Sequence, residues 1–362
     1  MSNDSFVASS KNASVEKGEF TWEAPSNIAL VKYWGKLENQ IPANPSVSFT
    51  LSNCKTTTTL KFVKASEYSL FNQVKFDVYF EGQQKDSFKP KIADFFERIY
   101  KYCPYLDSYE FEIHSENSFP HSSGIASSAS GMSALALGIM SLEKELNPEM
   151  DDDYFYKKSS FLARLGSGSA CRSVQGNLVV WGQHAEIERS SNEYGIAYPY
   201  QIHPVFTDFQ DTILLVDKGQ KQVSSTVGHN LMKGHPFAEA RFSQAHDNLK
   251  NLIPVFENGD LDKFIEIVER EALTLHGMMM SSSPYFMLMK PNTLAIINKI
   301  WEKRAVSKIP VCFTLDAGAN VHMLYPSQNK TEILEFIKNE LVGYCENGHY
   351  ICDEVGEGSK LL

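Results

Sequence analysis

The 362-residue sequence contains no apolar run approaching the roughly 18–20 residues of a membrane-spanning helix, which argues against a helical membrane protein. Its first twenty residues are polar, rich in Ser, Asn and Lys, and hold no apolar stretch of signal-peptide type. A flexible lead-in over 1–20 is expected there. Positive charge is in deficit: 34 Lys and Arg stand against 44 Asp and Glu, a formal net charge of −10. A general nucleic-acid binder would carry a basic face or tail, so neither nucleic acid nor a membrane is the expected partner. A small anion remains open, because local lysines and arginines can act against an acidic background. Six cysteines (Cys54, Cys103, Cys171, Cys312, Cys345, Cys352) are scattered with no Cys-x-x-Cys pair, which predicts reduced thiols and the cytoplasm. Cys345, His349 and Cys352 lack a second ligand cluster, so no metal ligands are assigned.

What is present is an ordinary globular composition, 43% apolar and 22% charged, in a chain long enough for two domains. Alternation predicts strands at 56–63, 74–81, 109–114 and 177–181, and a short buried strand at 212–217. Helical spacing marks 91–102, an Ala/Leu-rich stretch to Leu146, 154–165, 236–256, 260–276, 292–304 and a final helix over about 330–343. Strands at 311–316 and 321–325 flank Ala-Gly-Ala-Asn. Met278 to Pro291 is broken by Ser and Pro, its methionines filling core gaps. The elements interleave without a regular βαβ repeat, so the expected fold class is α+β. The pattern loosens near 198–208, which sets domains of 21–205 and 206–362.

Four segments carry the chemistry. Ala24 to Lys36 begins as a β-branched strand and ends in Lys32, Tyr33, Gly35 and Lys36, poor core material unless paired. It is either a strand with a solvated end or a site for a small anion. Pro120 to Gly131 joins a strand to a helix with almost nothing but small residues. It is neither the Gly-Lys-Ser/Thr loop nor the GxGxxG fingerprint. It is a Ser-rich cap and turn, or a place where backbone N–H groups and a helix N-terminus meet phosphate. Arg164 to Ser173 packs Gly, Ser and guanidinium groups in a pattern suited to a carboxylate or phosphate; Cys171 reads as packing. Asp316 ends an apolar strand before Ala-Gly, where it either caps a turn or serves as a rigidly held catalytic acid.

Together the segments resemble the diphosphomevalonate decarboxylases of the GHMP kinase superfamily. The resemblance runs in order over about 20–345: Ala-Pro-x-Asn-Ile-Ala-x-x-Lys-Tyr-Trp-Gly-Lys, Phe119-Pro120 through Ala129, Gly166–Ser173, Ser224–Gly228 and Asp316-Ala317-Gly318. It implies a two-domain GHMP kinase fold with an N-terminal domain like ribosomal protein S5 domain 2, an active site in the cleft, and a homodimer. It implies ATP- and Mg2+-dependent decarboxylation of mevalonate 5-diphosphate to isopentenyl diphosphate, ADP, phosphate and carbon dioxide. By similarity Asp316 is the carboxylate at the substrate's 3-hydroxyl, Lys32 keeps it ionised and Arg172 holds the substrate carboxylate. Asn27 helps position the substrate, while Tyr33, Lys36, Ser167, Gly168 and Ser169 receive the diphosphate or orient its chain. Ser122, Gly124, Ser127 and Ser128 cradle ATP phosphates, and Lys221 and Ser225 belong to a loop that closes over the nucleotide. Ala319 stands where the family commonly has proline, and Thr226 where some bacterial members have arginine. A relative acting on mevalonate 5-phosphate would share nearly every residue named. Two further rivals are a kinase of the same superfamily without decarboxylation and an inactive ligand-binding paralogue.

Overall fold

The computed structural model describes residues 3–8, 13–66, 74–120, 125–218 and 225–362, and for Ser225 and Thr226 the backbone alone. The first sheet contains β1 (Lys17–Val31), β2 (Ser46–Lys64), β3 (Lys75–Phe80), β4 (Gln83–Gln84), β5 (Tyr109–Asn117), β6 (Leu178–Trp181) and β7 (Ile196–Ala197). Helices α1 (Lys89–Tyr100), α2 (Ser127–Leu146) and α3 (Asp152–Gly166) accompany it. The second sheet, ordered β11-β8-β10-β9, contains β8 (Gln210–Leu214), β9 (Cys312–Thr314), β10 (Val321–Tyr325) and β11 (Tyr350–Glu354). With it come α4 (Ser225–Asn230), α5 (Ala238–Asn258), α6 (Leu261–Met280), α7 (Pro291–Ser307) and α8 (Lys330–Phe336). The last strand, β12 (Lys360–Leu361), returns to the first sheet and pairs with β1. The α+β expectation holds, with mainly antiparallel sheets and one parallel pair, β3 with β5.

The long β1–β2 ladder follows from alternating β-branched residues, whose cross-strand pairs include a Thr21–Thr59 hydroxyl contact of 2.8 Å. Helix α2 is buried on nearly every side, which explains its Ala, Gly and Ser content. A Cβ at Gly138 would come within 3.1 Å of Leu60, so the missing side chain lets helix and strand approach. A second core runs from Ile28, Val47 and Phe49 across to Ile213, Phe256 and Phe264. The end of β1 is thereby packed against α5 and α6, and that contact positions the site.

Several expectations are corrected. The lead-in is not featureless: Asn3–Phe6 forms a 3-10 turn whose buried Phe6 stacks on Phe161 at 4.6 Å, and β1 already starts at Lys17. Helix α6 continues through Met280, beyond the expected break at Met278. The final helix ends at Phe336 and passes into a π turn at Ile337–Leu341 and a 3-10 turn at Val342–Tyr344. Beyond it the chain forms β11 and β12, neither of which the sequence pattern predicts. Because β12 belongs to the first sheet, residues 206–362 do not form a wholly separate unit. Among the described residues no helix is long and apolar enough to cross a membrane.

Candidate active site

The strand β1 carries its residues inward until the ladder ends at Val31, leaving Lys32 just beyond it. Lys32 is buried, and its Nζ lies 3.4 Å from Oδ1 of Asp316, whose side chain is 30% exposed. Asp316 follows β9 and starts a tight turn in which Gly318 N–H donates to its carbonyl at 2.7 Å. The same carbonyl lies 3.1 Å from Nε2 of His276 on α6. Burial pushes the His276 imidazole down to about 4, so at neutral pH the ring is neutral and Nε2 holds the proton it donates. Burial also draws Lys32 below the usual lysine range, and the nearby Asp316 carboxylate opposes that shift. One partner is wet and the other dry, an arrangement suited to a carboxylate that must meet substrate while staying ionised.

The turn Gly168–Ser173 follows α3 and presents Arg172. Arg172 is buried, donates from Nη1 to Ser46 Oγ at 2.5 Å and lies 5.9 Å from the centre of the Trp181 ring. Its Nε has no partner among the described residues. A buried guanidinium donor left unpaired is costly, which points to a ligand acceptor. Asn27 does not line the cavity. Its Nδ2 holds Ser173 Oγ at 2.7 Å and the Ser169 carbonyl at 3.2 Å, so it braces the turn from behind. The Cys171 thiol donates to the Gly168 carbonyl at 3.1 Å and is pushed up to about 12 by burial, the wrong direction for a nucleophile. The Arg164 guanidinium is structural, pairing Glu193 at 2.6 Å and bonding the Asn39 carbonyl.

A cavity of about 370 Å³ collects Lys32, Tyr33, Lys36, Ser128, Ser167, Gly168, Ser169, Arg172 and Asp316. Ser128 and Ser167 meet at its wall, with hydroxyls 3.3 Å apart. Tyr33 is held edge-on to Trp181 at 4.6 Å, and the absence of a side chain at Gly168 makes room for it. Ser127 lines instead an adjoining cavity of about 230 Å³, walled by Phe80, Phe88, Ile92, Ile113, Met132 and Leu135. Ser128 and Lys91 border both cavities. Helix α2 begins between them after Ala126, which has a left-handed backbone (φ 45) and supplies no side-chain cap. Ser26 of β1 donates to the Ile125 carbonyl at 2.6 Å and ties this helix entrance to the strand. Ser122, Gly124 and Lys221 lie outside the described residues, as does the side chain of Ser225, whose backbone begins α4.

Residues not anticipated from the sequence are Lys91, His229, Arg241, Glu271 and His276. His229, four positions after Ser225, lines the larger cavity, accepts from Gly35 N–H at 3.0 Å and packs its ring 4.2 Å from Tyr33. Arg241 and Glu271 are fully buried, yet a charged residue in an amphipathic helix reads as solvated. No sequence signal marks them.

Residues 24–192 match the family model described as the diphosphomevalonate decarboxylase-like N-terminal domain, and 212–356 match the mevalonate 5-diphosphate decarboxylase C-terminal domain. The chain is 30% identical over 328 residues to the diphosphomevalonate decarboxylase of Debaryomyces hansenii, with 87% of this chain and 81% of that protein covered. It is 26% identical to a solved structure of the mevalonate diphosphate decarboxylase from Enterococcus faecalis, with a TM-score of 0.79 over 96% of this chain and 99% of that one. A structure of MDDEF in complex with MVAPP, AMPPCP and magnesium shows the same identity and coverage, with a TM-score of 0.80.

Proposed function

Because this chain belongs to the diphosphomevalonate decarboxylase family, we propose that it converts mevalonate 5-diphosphate and ATP to isopentenyl diphosphate, ADP, phosphate and carbon dioxide. The observation that carries this reading is the meeting of the Lys32–Asp316 pair and buried Arg172 in one cavity. Asp316 takes the proton of the tertiary 3-hydroxyl as that oxygen attacks the terminal phosphorus of ATP, and ADP departs. General-base help of this kind is worth about 10²–10⁴-fold. Lys32 favours the ionised carboxylate, since an adjacent cation stabilises that form. The C–O bond to the new phosphate then breaks, and the electrons of the C–CO₂ bond form the alkene. Arg172 grips the leaving carboxylate through this step, which a kinase without decarboxylation has no need to do.

The apolar cavity bordered by Ser127 and Ser128 suits a nucleotide base, and the uncapped start of α2 suits its phosphates. Asn117 supports this placement, because its Nδ2 is buried there without a partner among the described residues. Magnesium would be carried on the phosphates of ATP, and the hydroxyls of Ser127 and Ser128 at the start of α2 have the hard-oxygen chemistry that would help hold it. When bound, it neutralises phosphate charge. Tyr33, Lys36 and Ser167–Ser169 line the same cavity as Asp316 and Arg172, which suits them to receive the substrate's diphosphate tail.

Incubation with ATP and mevalonate 5-diphosphate should release carbon dioxide and ADP in equal amounts. ADP without carbon dioxide would make the protein a kinase instead. In a parallel assay with mevalonate 5-phosphate, an equal kcat/KM would remove the diphosphate from the assignment. A further expected outcome concerns Gly168→Ala, whose Cβ would lie 2.9 Å from the Tyr33 hydroxyl and 3.0 Å from Trp181. Displacing Tyr33 should raise KM for the diphosphate substrate about tenfold, the scale of a mild overpacking. Initial-rate kinetics with an unchanged KM would show that Tyr33 does not contact the tail.

A further inference from the structure

Lys32 sits where the β1–β2 ladder has ended, and side chains satisfy its main chain. Its N–H donates to Glu271 Oε2 at 2.8 Å. Its carbonyl accepts from Arg241 Nη2 at 3.1 Å and from Asn44 Nδ2 at 3.0 Å. Glu271 of α6 and Arg241 of α5 form a two-pronged ion pair, with contacts of 2.8 and 2.6 Å and both side chains wholly inaccessible. Asn248 Nδ2 adds a fourth donor to Glu271 at 2.5 Å, beside the Lys32 N–H and the two from Arg241. Desolvation cancels much of the attraction in such a pair, so stability is a weak explanation for it. Geometry supplies a better one. Helix α6 also carries His276, which donates to the main-chain carbonyl of Asp316. Five residues of one helix, about 7.5 Å of rise, therefore separate the groups that hold Lys32 and Asp316 by their backbones.

We propose that Glu271 and Arg241 are positioning residues that, together with His276, set the separation of Lys32 from Asp316 and so keep Asp316 ready to accept the substrate's proton. The proposal rests on the function proposed above. Among the described residues, the charged and titratable groups around the pair include Arg172 from the 168–173 turn, Glu271 and His276 from α6, Arg241 from α5 and Asp211 from β8. Of these, Glu271 and Arg241 are the ones that hydrogen-bond the Lys32 backbone.

Two variants test this. Glu271→Gln keeps the shape and removes the charge. The double variant Arg241→Met with Glu271→Leu replaces both charges by apolar volume, a change buried pairs often tolerate without loss of stability. In both, kcat should fall about 10–100-fold while KM for each substrate stays within about threefold. The acid limb of the kcat–pH profile should move to higher pH, because a lysine held less closely favours the Asp316 carboxylate less. Carbon-13 NMR titration of the Asp316 side chain in ligand-free protein should show the same upward move without any turnover. A lower Tm with the acid limb and the NMR midpoint left at their wild-type positions would overturn the proposal. If the unaltered protein releases no carbon dioxide, the functional reading fails by itself, and the ligand-free titration still decides this one.

Discussion

Asp316→Asn should bind ATP and mevalonate 5-diphosphate within about threefold of the unaltered protein yet turn over at least about a hundredfold more slowly. The amide fills the same space beside Lys32 but cannot take up the proton of a tertiary alcohol. Calorimetric titration of each ligand and single-turnover kinetics separate binding from chemistry. Near-normal turnover would remove Asp316 from its assigned role. The same variant carries a stability signature. Lys32 is buried and lies 3.4 Å from the carboxylate that offsets its desolvation. Without that carboxylate its pKa should fall further below the unfolded value. A depressed lysine binds fewer protons folded than unfolded, so stability rises with pH toward the unfolded pKa near 10.4. Asp316→Asn should therefore be destabilised at pH 7, and the gap should narrow by pH 9 in thermal unfolding. An equal loss of Tm at both pH values would mean that Lys32 was not charged against Asp316.

Much of this site is legible because its residues lie in short contiguous segments. Lys32, Tyr33 and Lys36 follow one another off β1, and Ser167 to Arg172 occupy one turn, so each run enters the cavity nearly intact. What brings them together is long-range pairing that no local pattern encodes. β11 reads Tyr-Ile-Cys-Asp-Glu, too polar to announce a strand; its register against β8 and the buried Asp353 make it one. Asp353 accepts N–H bonds from Ser52, Asn53 and Cys54 at 2.7–2.9 Å, fastening β2 to the second sheet from about 300 residues away. The Arg241–Glu271 pair is invisible in the sequence for a related reason. Its burial depends on α5 and α6 facing each other across the end of β1, and a single-helix pattern places such charges in water. Asn27 is engaged from one end only, its Oδ1 being buried without a partner among the described residues. It lies in the right motif, and the strand alternation turns its side chain onto the 168–173 turn.

Arg172→Lys should divide the reaction into its two halves. Decarboxylation requires the carboxylate to be held while positive charge develops at the neighbouring carbon, and a planar guanidinium does this with donors fixed in direction. Here Nη1 is anchored on Ser46 Oγ and the plane is packed near Trp181, so the group is aimed before substrate arrives. A lysine ammonium can satisfy Ser46 or the substrate but has no fork to reach both. Carbon dioxide release should fall about 10²–10³-fold, the scale on which one preorganised donor acts in a water-poor site. Phosphoryl transfer depends on Asp316 and the nucleotide rather than on this grip. ADP release should fall less, and the ratio of ADP to carbon dioxide should rise well above one as phosphorylated intermediate escapes. Ser46→Ala should show a weaker version of the same uncoupling, since it frees Nη1 without removing the guanidinium. Were both products to fall in step, Arg172 would be aligning the hydroxyl for phosphorylation, and the force that stabilises the departing carboxylate would have to come from elsewhere in the cavity.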